Sequence, residues 1–570
     1  MKQFIKKIYL VLFFVIILSN FTKVLAKDNK NYYSSETISN YFSGTISFNN
    51  YNTEKAYEYL EKIEKVKINH NNYNIKYIHT LILEKKFNQA FDFAKSLKEK
   101  NVSFFEVDLL MGLNSFIKED YNQAQKHFLN LNKIYKRNPI YKNFLGNALL
   151  SWTHAEQNNK EESLDYHDKI NQQYYELKKI QNVFLQCYFD TPKVELNFQE
   201  LINDKDYIFS RYNFFLANYL LHKNKDKKAK EIISRSSEFY NSNVLLKQAE
   251  NFILSGDVNK IKKFFTCKNS KDNIAEIFYI LANLSSLQKD YQISNFYLNI
   301  SLFFNNKFTP NKALLAENFF YQKKYKASEK VYNTLKSIGP IYSWYASKSV
   351  TTILSNLGDI ESSVLNLEKE FQLLASRNFK NYYEMANLYN DNKYYKKAIK
   401  YYSIALEKID EDHLLFPKIL YRRGTCYERS DNWDKAESDL KKSLKILPNQ
   451  PYVLNYLAYS WAEKKINIEA ALEMLNLASE LEKDNGYILD SLGWAYYVNK
   501  DYIKAEYFLR RAVELMPLES VINDHYADSL WQLNKHIQAR YFWEQVLDLN
   551  EIEKDLKENI TKKLVFGITK

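Results

Sequence analysis

The chain has 570 residues, more than one hydrophobic core usually serves, yet it contains only 10 glycines and 8 prolines. Folds that hold phosphate in glycine-rich loops are therefore disfavoured, because such loops need glycine where the backbone meets the ligand. The net charge of +12 comes from 80 basic and 68 acidic residues that are interleaved along the chain. Without a clustered basic stripe, this charge does not indicate a nucleic-acid binder.

Residues 1–26 have the pattern of a secretory signal peptide. Three lysines precede an uninterrupted apolar run at 8–18, and the small residue at position 26 predicts cleavage after Ala26. The alternative is a retained membrane anchor, although the run is shorter than the roughly 20 residues that cross a bilayer. The first cysteine lies far downstream, which argues against a lipid-anchored protein. We therefore expect an exported chain and leave its contact with the membrane open.

A period of 34 residues runs through the rest of the chain. In its clearest unit, small residues stand at Gly493, Ala505 and Ala512, and Pro517 follows. The register is lost between about 147 and 205 and is weaker in the units that follow. The positions that correspond to Gly493 in the other units are Gly44, Ile78, Gly112, Gly146, Ala217, Ala282, Ala316, Thr351, Ala386, Gly424, Ala458 and Ala527.

Small residues at this spacing predict pairs of antiparallel helices. They let two helix axes approach to about 8–10 Å, while larger residues between them, such as Leu492 and Leu509, fill the core. One pair cannot bury its apolar face, so neighbouring pairs must stack. We predict an all-α solenoid. Its N-terminal repeats at 27–205 degenerate toward their end, and its middle repeats at 206–380 are degenerate. Well-formed C-terminal repeats follow at 381–550, and a capping helix at 551–570 ends the array. Docking of the last helix to a membrane or a partner is the alternative to capping.

The three cysteines, Cys187, Cys267 and Cys426, are far apart and form no CxxC pair. Neither a zinc site nor a dithiol redox motif is therefore expected. One disulfide is possible in an oxidising compartment, but three buried apolar side chains are the favoured reading.

The clearest unit also carries a family resemblance. Its first helix, Leu489–Tyr497, reads Leu-Asp-Ser-Leu-Gly-Trp-Ala-Tyr-Tyr and, with Ala505 to Pro517 as its partner, resembles a tetratricopeptide repeat (TPR). This resemblance implies a TPR α-solenoid, which is a right-handed superhelix of antiparallel helix pairs. It also implies a non-catalytic protein that binds other proteins.

Residues 450–570 resemble a bacterial cell-envelope subgroup of TPR proteins. The resemblance rests on the Asp-Ser-Leu-Gly-Trp string at 490–494, on Asn523-Asp524-His525 with Asp528 and Trp531, and on Arg540 with Trp543. The best-known members are outer-membrane lipoproteins that bring a periplasmic carboxy-terminal processing protease to its substrates. The resemblance implies a periplasmic scaffold or adaptor that recruits a protease or another envelope enzyme. The alternative is a structural component of an envelope assembly, a pilus or a secretion complex.

Catalytic motifs are missing from the sequence. It has no GxxxxGK[ST], GxSxG, HExxH or GxGxxG string and only nine histidines, so we expect no enzyme, no cofactor and no metal. His525 with Asp524 and Asp528 is the best local metal-ligand cluster, but it lacks further ligands nearby. An overlooked active site would have to lie at 147–205, which is short and poor in glycine.

The first helix of each pair lines the inner curve of such a solenoid. The side chains that face this curve are those three positions before and one position after the small residue. These positions are aromatic and acidic in the last units, and they lack the lysine, arginine and asparagine set that grips an acidic C-terminal tail. We therefore predict a partner with a basic or mixed extended segment, and no small-molecule substrate. Inter-repeat packing is the alternative role for Tyr459 and Trp494, and Asp490→Ala is expected to leave stability nearly unchanged. The predicted protein-binding groove consists of Asn455, Tyr459, Asp490, Trp494, Asp524, Asp528 and Trp531.

Overall fold

The computed structural model describes residues 33–63, 70–134, 144–204, 209–240, 242–549 and 552–568. All regular structure in these ranges is helical, with no strand, which confirms the all-α fold predicted from the repeats. The chain divides into two compact units, of which unit 1 ends at Ile353 and unit 2 starts at Leu354. The predicted signal peptide lies outside the described residues. Within those residues, no helix combines the length and hydropathy that a membrane span requires.

Unit 1 is built from successive helices that pack as pairs, with one short 3-10 helix at Gln172–Tyr174. The division between the units falls within its last helix. Its helices are α1 Ser35–Asn49, α2 Thr53–Leu60, α3 Asn71–Leu83, α4 Phe87–Lys98, α5 Phe105–Ile117, α6 Tyr121–Ile134, α7 Gly146–Glu156, α8 Lys160–Asp168, α9 Tyr175–Tyr188, α10 Val194–Ile202, α11 Tyr212–His222, α12 Asp226–Phe239, α13 Val244–Leu254, α14 Val258–Phe264, α15 Ser270–Leu287, α16 Tyr291–Phe304, α17 Thr309–Tyr321, α18 Tyr325–Leu335 and α19 Pro340–Asn356.

Unit 2 contains the well-formed C-terminal repeats, again as packed helix pairs, followed by a single last helix. That last helix lies within the segment at 551–570 in which the capping helix was predicted. The helices are α20 Ile360–Leu373, α21 Phe379–Asp391, α22 Tyr395–Glu407, α23 Phe416–Glu428, α24 Trp433–Ile446, α25 Pro451–Glu463, α26 Ile468–Leu481, α27 Gly486–Val498, α28 Tyr502–Leu515, α29 Ser520–Gln532, α30 His536–Leu547 and α31 Lys554–Phe566.

Small residues lie where the two helices of a pair cross, as the spacing predicts. A Cβ atom added to Gly493 in α27 would lie 2.6 Å from Cγ of Leu509 in α28. One added to Gly112 in α5 would lie 2.3 Å from the ring of Phe128 in α6. Both contacts are closer than real Cβ atoms tolerate, so the helix axes can approach only because these residues have no side chain.

The turn inside each pair also repeats. In most pairs a non-glycine residue takes a left-handed conformation there, with φ of 63° at Lys289, 58° at Lys323, 64° at Lys500 and 60° at Asn534. The next helix starts at once, and in the clearest unit the Asp501 side chain caps it by accepting from the backbone N–H of Lys504. This reversal places the second helix directly against the first.

Two regions depart from the 34-residue register and are nevertheless helical. The segment at 147–205 forms the pairs α7/α8 and α9/α10, in which α8 and α10 are nine residues long. A further short pair, α13/α14, lies between the units assigned to Ala217 and Ala282 and was not predicted. Its helices have 11 and seven residues, too short to carry the full pattern of small residues.

Unit 1 also contains packing between repeats that are distant in sequence. Helix α16 packs against α3, and α15 packs against α7. The His79 ring stacks on Phe296 with centroids 4.2 Å apart, and Phe87 stacks on Phe303 at 4.1 Å. The inner face of the first repeats is therefore partly covered by later helices of the same unit.

Cys187 and Cys267 form a disulfide, with Cα atoms 5.9 Å apart, and they are 80 positions apart in sequence. The bond ties the end of α9 to the segment before α15. The favoured sequence reading, three unpaired buried cysteines, is wrong for this pair because the fold brings two distant repeats together. Cys426 is a free and buried thiol, as that reading expected.

Candidate functional site

The predicted groove residues lie on the first helices of the last three pairs, α25, α27 and α29. Asp490 on α27 is only 6% exposed, and its carboxylate oxygens lie 3.0 and 3.1 Å from Nδ1 of His525 on α29. Burial lowers the pKa of His525, but attraction and hydrogen bonding to the Asp490 carboxylate, together with the nearby Asp524 and Asp528, raise that pKa overall. The pair therefore joins two successive first helices.

Asp524 and Asp528, one helical turn apart on α29, are 6% and 5% exposed. The Lys563 ammonium from α31 lies between them and donates to all four carboxylate oxygens at 2.8–2.9 Å. The Trp543 indole N–H also donates to Asp528 at 3.1 Å. Burial raises the pKa of Asp528 to about 6, the neighbouring Asp524 adds to the rise, and Lys563 opposes it.

Partly exposed aromatic rings run alongside these carboxylates; we call Tyr459, Trp494 and Tyr497 the aromatic strip. Trp494 stacks on Tyr497 at 4.7 Å and on His525 at 4.0 Å. Its indole N–H donates to Glu463 at the end of α25. Burial raises the pKa of Tyr459, and the nearby carboxylates of Glu463 and Asp490 raise it further. The strip thus spans two successive first helices and has acidic neighbours.

Two predicted groove residues lie apart from this arrangement. Trp531 packs toward the end of the array, against His536 at 4.1 Å and Trp543 at 5.4 Å. Gly567, beyond α31, approaches its ring so closely that a Cβ there would lie 2.1 Å away. The carboxamide oxygen of Asn455 is enclosed and has no hydrogen-bond partner in the described part of the chain.

The structure therefore brings together Tyr459, Asp490, Trp494, Asp524 and Asp528. It adds three neighbours that the groove prediction lacked, Glu463, Tyr497 and Lys563. Lys563 gave no repeat signal because it lies beyond the last pair. Trp494 stacks on His525 of the next repeat, as the packing alternative proposes. Its ring is nevertheless partly exposed, as a groove residue requires. The groove assignment remains a prediction.

The geometry of the carboxylates defines what they can do chemically. Asp524 and Asp528 hold an ammonium group, and no group of three or more metal-ligand side chains is found within the described ranges. His525 directs Nδ1 at Asp490 and stacks on Trp494, so it serves the contact between repeats. The aromatic strip offers π faces and hydrogen-bonding edges to a ligand.

Comparisons with known proteins agree with this architecture. Residues 417–450, which include α24 and all of α23 but its first residue, match the tetratricopeptide repeat. A TPR repeat-containing protein of Pseudomonas aeruginosa, PA4667, is 26% identical over 167 residues, which are 29% of this chain and 28% of the relative. The human protein O-mannosyl-transferase TMTC1 is 24% identical over 118 residues, which are 20% of this chain and 13% of that protein. The matches thus span less than a third of either relative.

Among solved structures, a TPR protein from Parabacteroides merdae aligns with a TM-score of 0.38 at 13% identity. The alignment covers 44% of this chain and 97% of that one. The repeat match and the related sequences support the TPR family. TPR arrays are scaffolds for protein–protein interaction and are typically non-catalytic.

Proposed function

We propose that this chain is an exported TPR scaffold that binds an extended polypeptide on the aromatic strip of unit 2. The observation that carries the proposal is the set of partly exposed rings on successive first helices, at Tyr459, Trp494 and Tyr497. Rigid aromatic rings supply large contact area at low cost in conformational entropy, and such residues dominate protein interfaces. Glu463 beside the strip adds negative charge, so the favoured ligand is a basic or mixed segment.

The proposed role is that of an adaptor. The bound polypeptide is presented to an envelope enzyme, and a carboxy-terminal processing protease is the candidate that the resemblance of residues 450–570 supports. Among known proteins, the bacterial relative supports the TPR architecture of this role but says nothing about its partner.

Export is supported by two independent features. Residues 1–26 have the pattern of a signal peptide, and the Cys187–Cys267 disulfide is typical of proteins in oxidising compartments. Expression of the full chain with a C-terminal tag tests this directly. We expect a mature species that begins at Lys27, by mass spectrometry, and two cysteines that alkylate only after reduction. A full-length product with all three cysteines reduced in cells would contradict export.

The binding surface is tested by crosslinked affinity capture from the native envelope, comparing wild type with Tyr459→Ala. Tyr507→Ala is the matched control, because Tyr507 is exposed on the second helix α28. We expect one stoichiometric partner that Tyr459→Ala loses and Tyr507→Ala retains, with both variants melting near wild type. Equal recovery by the two variants would remove the aromatic strip from the proposal.

A structural role in an envelope assembly is the second candidate, and one observation favours it. Leucines at the ends of three successive second helices, Leu447, Leu481 and Leu515, recur every 34 residues and are 51%, 43% and 44% exposed. A periodic row of exposed apolar side chains is suited to a long contact with another protein. Sedimentation of the gently solubilised envelope distinguishes the roles. Co-migration with a large complex that is lost on changing all three leucines to serine favours assembly.

A further inference from the structure

Unit 1 contains a cavity of about 740 Å³ on the inner side of its middle repeats. Its walls come from the first helices α15, α17 and α19, from the start of α13 and from Arg211. The −3 and +1 positions of two middle units all line it, namely Tyr279 and Asn283 on α15, and Ala313 and Glu317 on α17. The rule that predicts groove residues in the last repeats therefore locates an open cavity in repeats that the sequence marks as degenerate.

Glu317 carries an uncompensated charge inside this cavity. Its carboxylate accepts a hydrogen bond from the Tyr345 hydroxyl at 2.6 Å, and no lysine or arginine of the described ranges forms an ion pair with it. Burial raises the pKa of the Glu317 carboxyl, and the Tyr345 hydrogen bond only partly opposes this. A largely buried carboxylate without a cation is costly, so such groups are usually paired. Glu317 therefore lacks a cationic partner within the described ranges.

The cations near Glu317 do not fill that role. Arg211 lies at one end of the cavity, but its guanidinium pairs with the buried Glu276 and covers the ring of Tyr279 at 4.3 Å. Lys289 stands at the mouth and is exposed to solvent. The arginine and its partner glutamate together are neutral, so among the described residues Glu317 keeps no cation to pair with.

The rings around Glu317 suit a cation. Tyr279 and Tyr342 are buried in the wall, Tyr345 lies beside Tyr342 with centroids 6.5 Å apart, and Tyr321 stacks on Tyr291 at the mouth. Ammonium and guanidinium groups are attracted to the faces of such rings, more strongly when water is excluded. Carboxylate and tyrosines together thus recognise an organic cation.

A second cleft adjoins the cavity, and Ser210, Arg211, Tyr279 and Asn283 line both. This cleft is lined by apolar side chains that include Ile180 and Ile280. Two adjoining clefts suit an extended chain, which needs room on both sides of the inserted group, better than a small amine. Asn283 lies at the junction, where an amide can bond to a peptide backbone.

We propose that this cavity, the Glu317 pocket, receives a lysine or arginine side chain of an extended polypeptide, whose cation pairs with Glu317 among the tyrosine rings. The inference rests on the polypeptide-binding function proposed above, but it concerns different residues in a different unit. The pocket therefore confers selectivity for a basic residue at a fixed point of the bound segment.

The test uses the full mature chain and four pools of fluorescent acetylated heptapeptides. The central residue is fixed as arginine, lysine, norleucine or glutamate, with mixtures at the other positions, and binding is followed by anisotropy. We expect the arginine and lysine pools to bind at least tenfold tighter than the other two. Glu317→Gln should abolish this preference and still fold, because the amide oxygen can accept from Tyr345. The matched control is Glu231→Gln, an exposed glutamate on α12 of the same unit.

Each other result has a defined reading. Equal binding of the four pools to wild type, or a basic preference that survives in Glu317→Gln, would overturn the proposal. Spermidine that binds as tightly as the lysine pool and displaces it would make this a small-amine site and overturn the polypeptide part. If Glu317→Gln fails to fold, Glu317→Asp replaces it in the test. Aspartate keeps the negative charge but holds it one methylene group farther from the ligand, so we expect a weakened preference for the basic pools. Tyr459→Ala should leave the preference intact, which separates failure of this pocket from failure of the strip in unit 2.

Discussion

At the scale of single residues, the helix pairs depend on the absence of a side chain at one crossing point. A Cβ on Gly493 already lies too close to Leu509, including its backbone nitrogen at 3.0 Å. Gly493→Leu must push α27 and α28 apart, and we expect a loss of about 1–3 kcal/mol in unfolding free energy. Urea unfolding measures this. Arg510→Leu, at an exposed position of α28, is the control and should stay within about 0.5 kcal/mol of wild type.

The buried pair of Asp490 and His525 changes an expectation drawn from the sequence. A groove residue open to solvent could be truncated at little cost, but Asp490 is buried and accepts from His525. Asp490→Ala leaves a buried imidazole without its partner, so we now expect a loss of about 1–3 kcal/mol. Asp484→Ala, at an exposed position before α27, should leave the unfolding free energy unchanged. Equal stability of the two variants would show that the His525 contact adds nothing.

The same pair predicts how stability depends on pH. Burial lowers the pKa of His525, but Asp490, Asp524 and Asp528 raise it overall in the folded protein. A raised folded-state pKa means that the stabilisation is complete below the unfolded pKa of about 6.5 and is lost as pH rises through the folded value. Melting temperatures of wild type and His525→Asn, measured from pH 5 to 9, should therefore differ most at acidic pH. A gap that widens with pH would contradict the sign.

At the scale of helices, α31 is anchored by one lysine. The Lys563 side chain is 12% exposed and pairs with two carboxylates that are 8% exposed. Lys563→Ala would leave two adjacent buried carboxylates without a cation, and we expect a loss of about 3–5 kcal/mol in unfolding free energy. Lys562→Ala, the exposed neighbour on the same helix, is the matched control and should be near neutral.

A second comparison separates charge from packing in α31. If the loss comes from the buried carboxylates left without a cation, Asp524→Asn with Asp528→Asn should restore much of the stability of Lys563→Ala. If the aspartates make no difference, the helix is held by its apolar contacts, such as the fully buried Ile560. Chemical unfolding of the triple variant decides between these causes.

The helices themselves were predictable wherever both members of a pair are long. Gly112 and Gly493 mark crossings because a glycine there is a requirement of packing, visible at a fixed spacing. The pair α13/α14 escaped prediction because its short helices leave too few positions for the pattern. Lys563 escaped because it follows the last repeat, where no spacing constrains a residue.

At the scale of the whole molecule, the 34-residue period predicts contacts between neighbouring helix pairs. It predicts no contacts between pairs that are distant in sequence. The stacking of His79 on Phe296 joins residues more than 200 positions apart, and no repeat register implies it. The Glu317 pocket shows the same limit, since Tyr345 comes from a different pair than Glu317. The offset rule could place Glu317 on an inner face, but only the packed structure shows that no lysine or arginine of the described ranges pairs with it.

The disulfide gives the last prediction, because it too is a contact between distant repeats. Cys187 and Cys267 enclose a loop of 80 residues, and in the chain-entropy account a crosslink of that length stabilises by about 4 kcal/mol. A double variant, Cys187→Ser with Cys267→Ser, should therefore melt at a lower temperature than wild type.

A reductant supplies the matched control. Dithiothreitol should lower the melting temperature of the wild type toward that of the double variant. It should leave the double variant unchanged, because Cys426 forms no disulfide that could be reduced. A wild type whose melting temperature is unaffected, although alkylation shows that its thiols are reduced, would mean that packing alone holds α9 to the segment before α15. The stability of unit 1 would then come from its helix pairs, without the covalent tie.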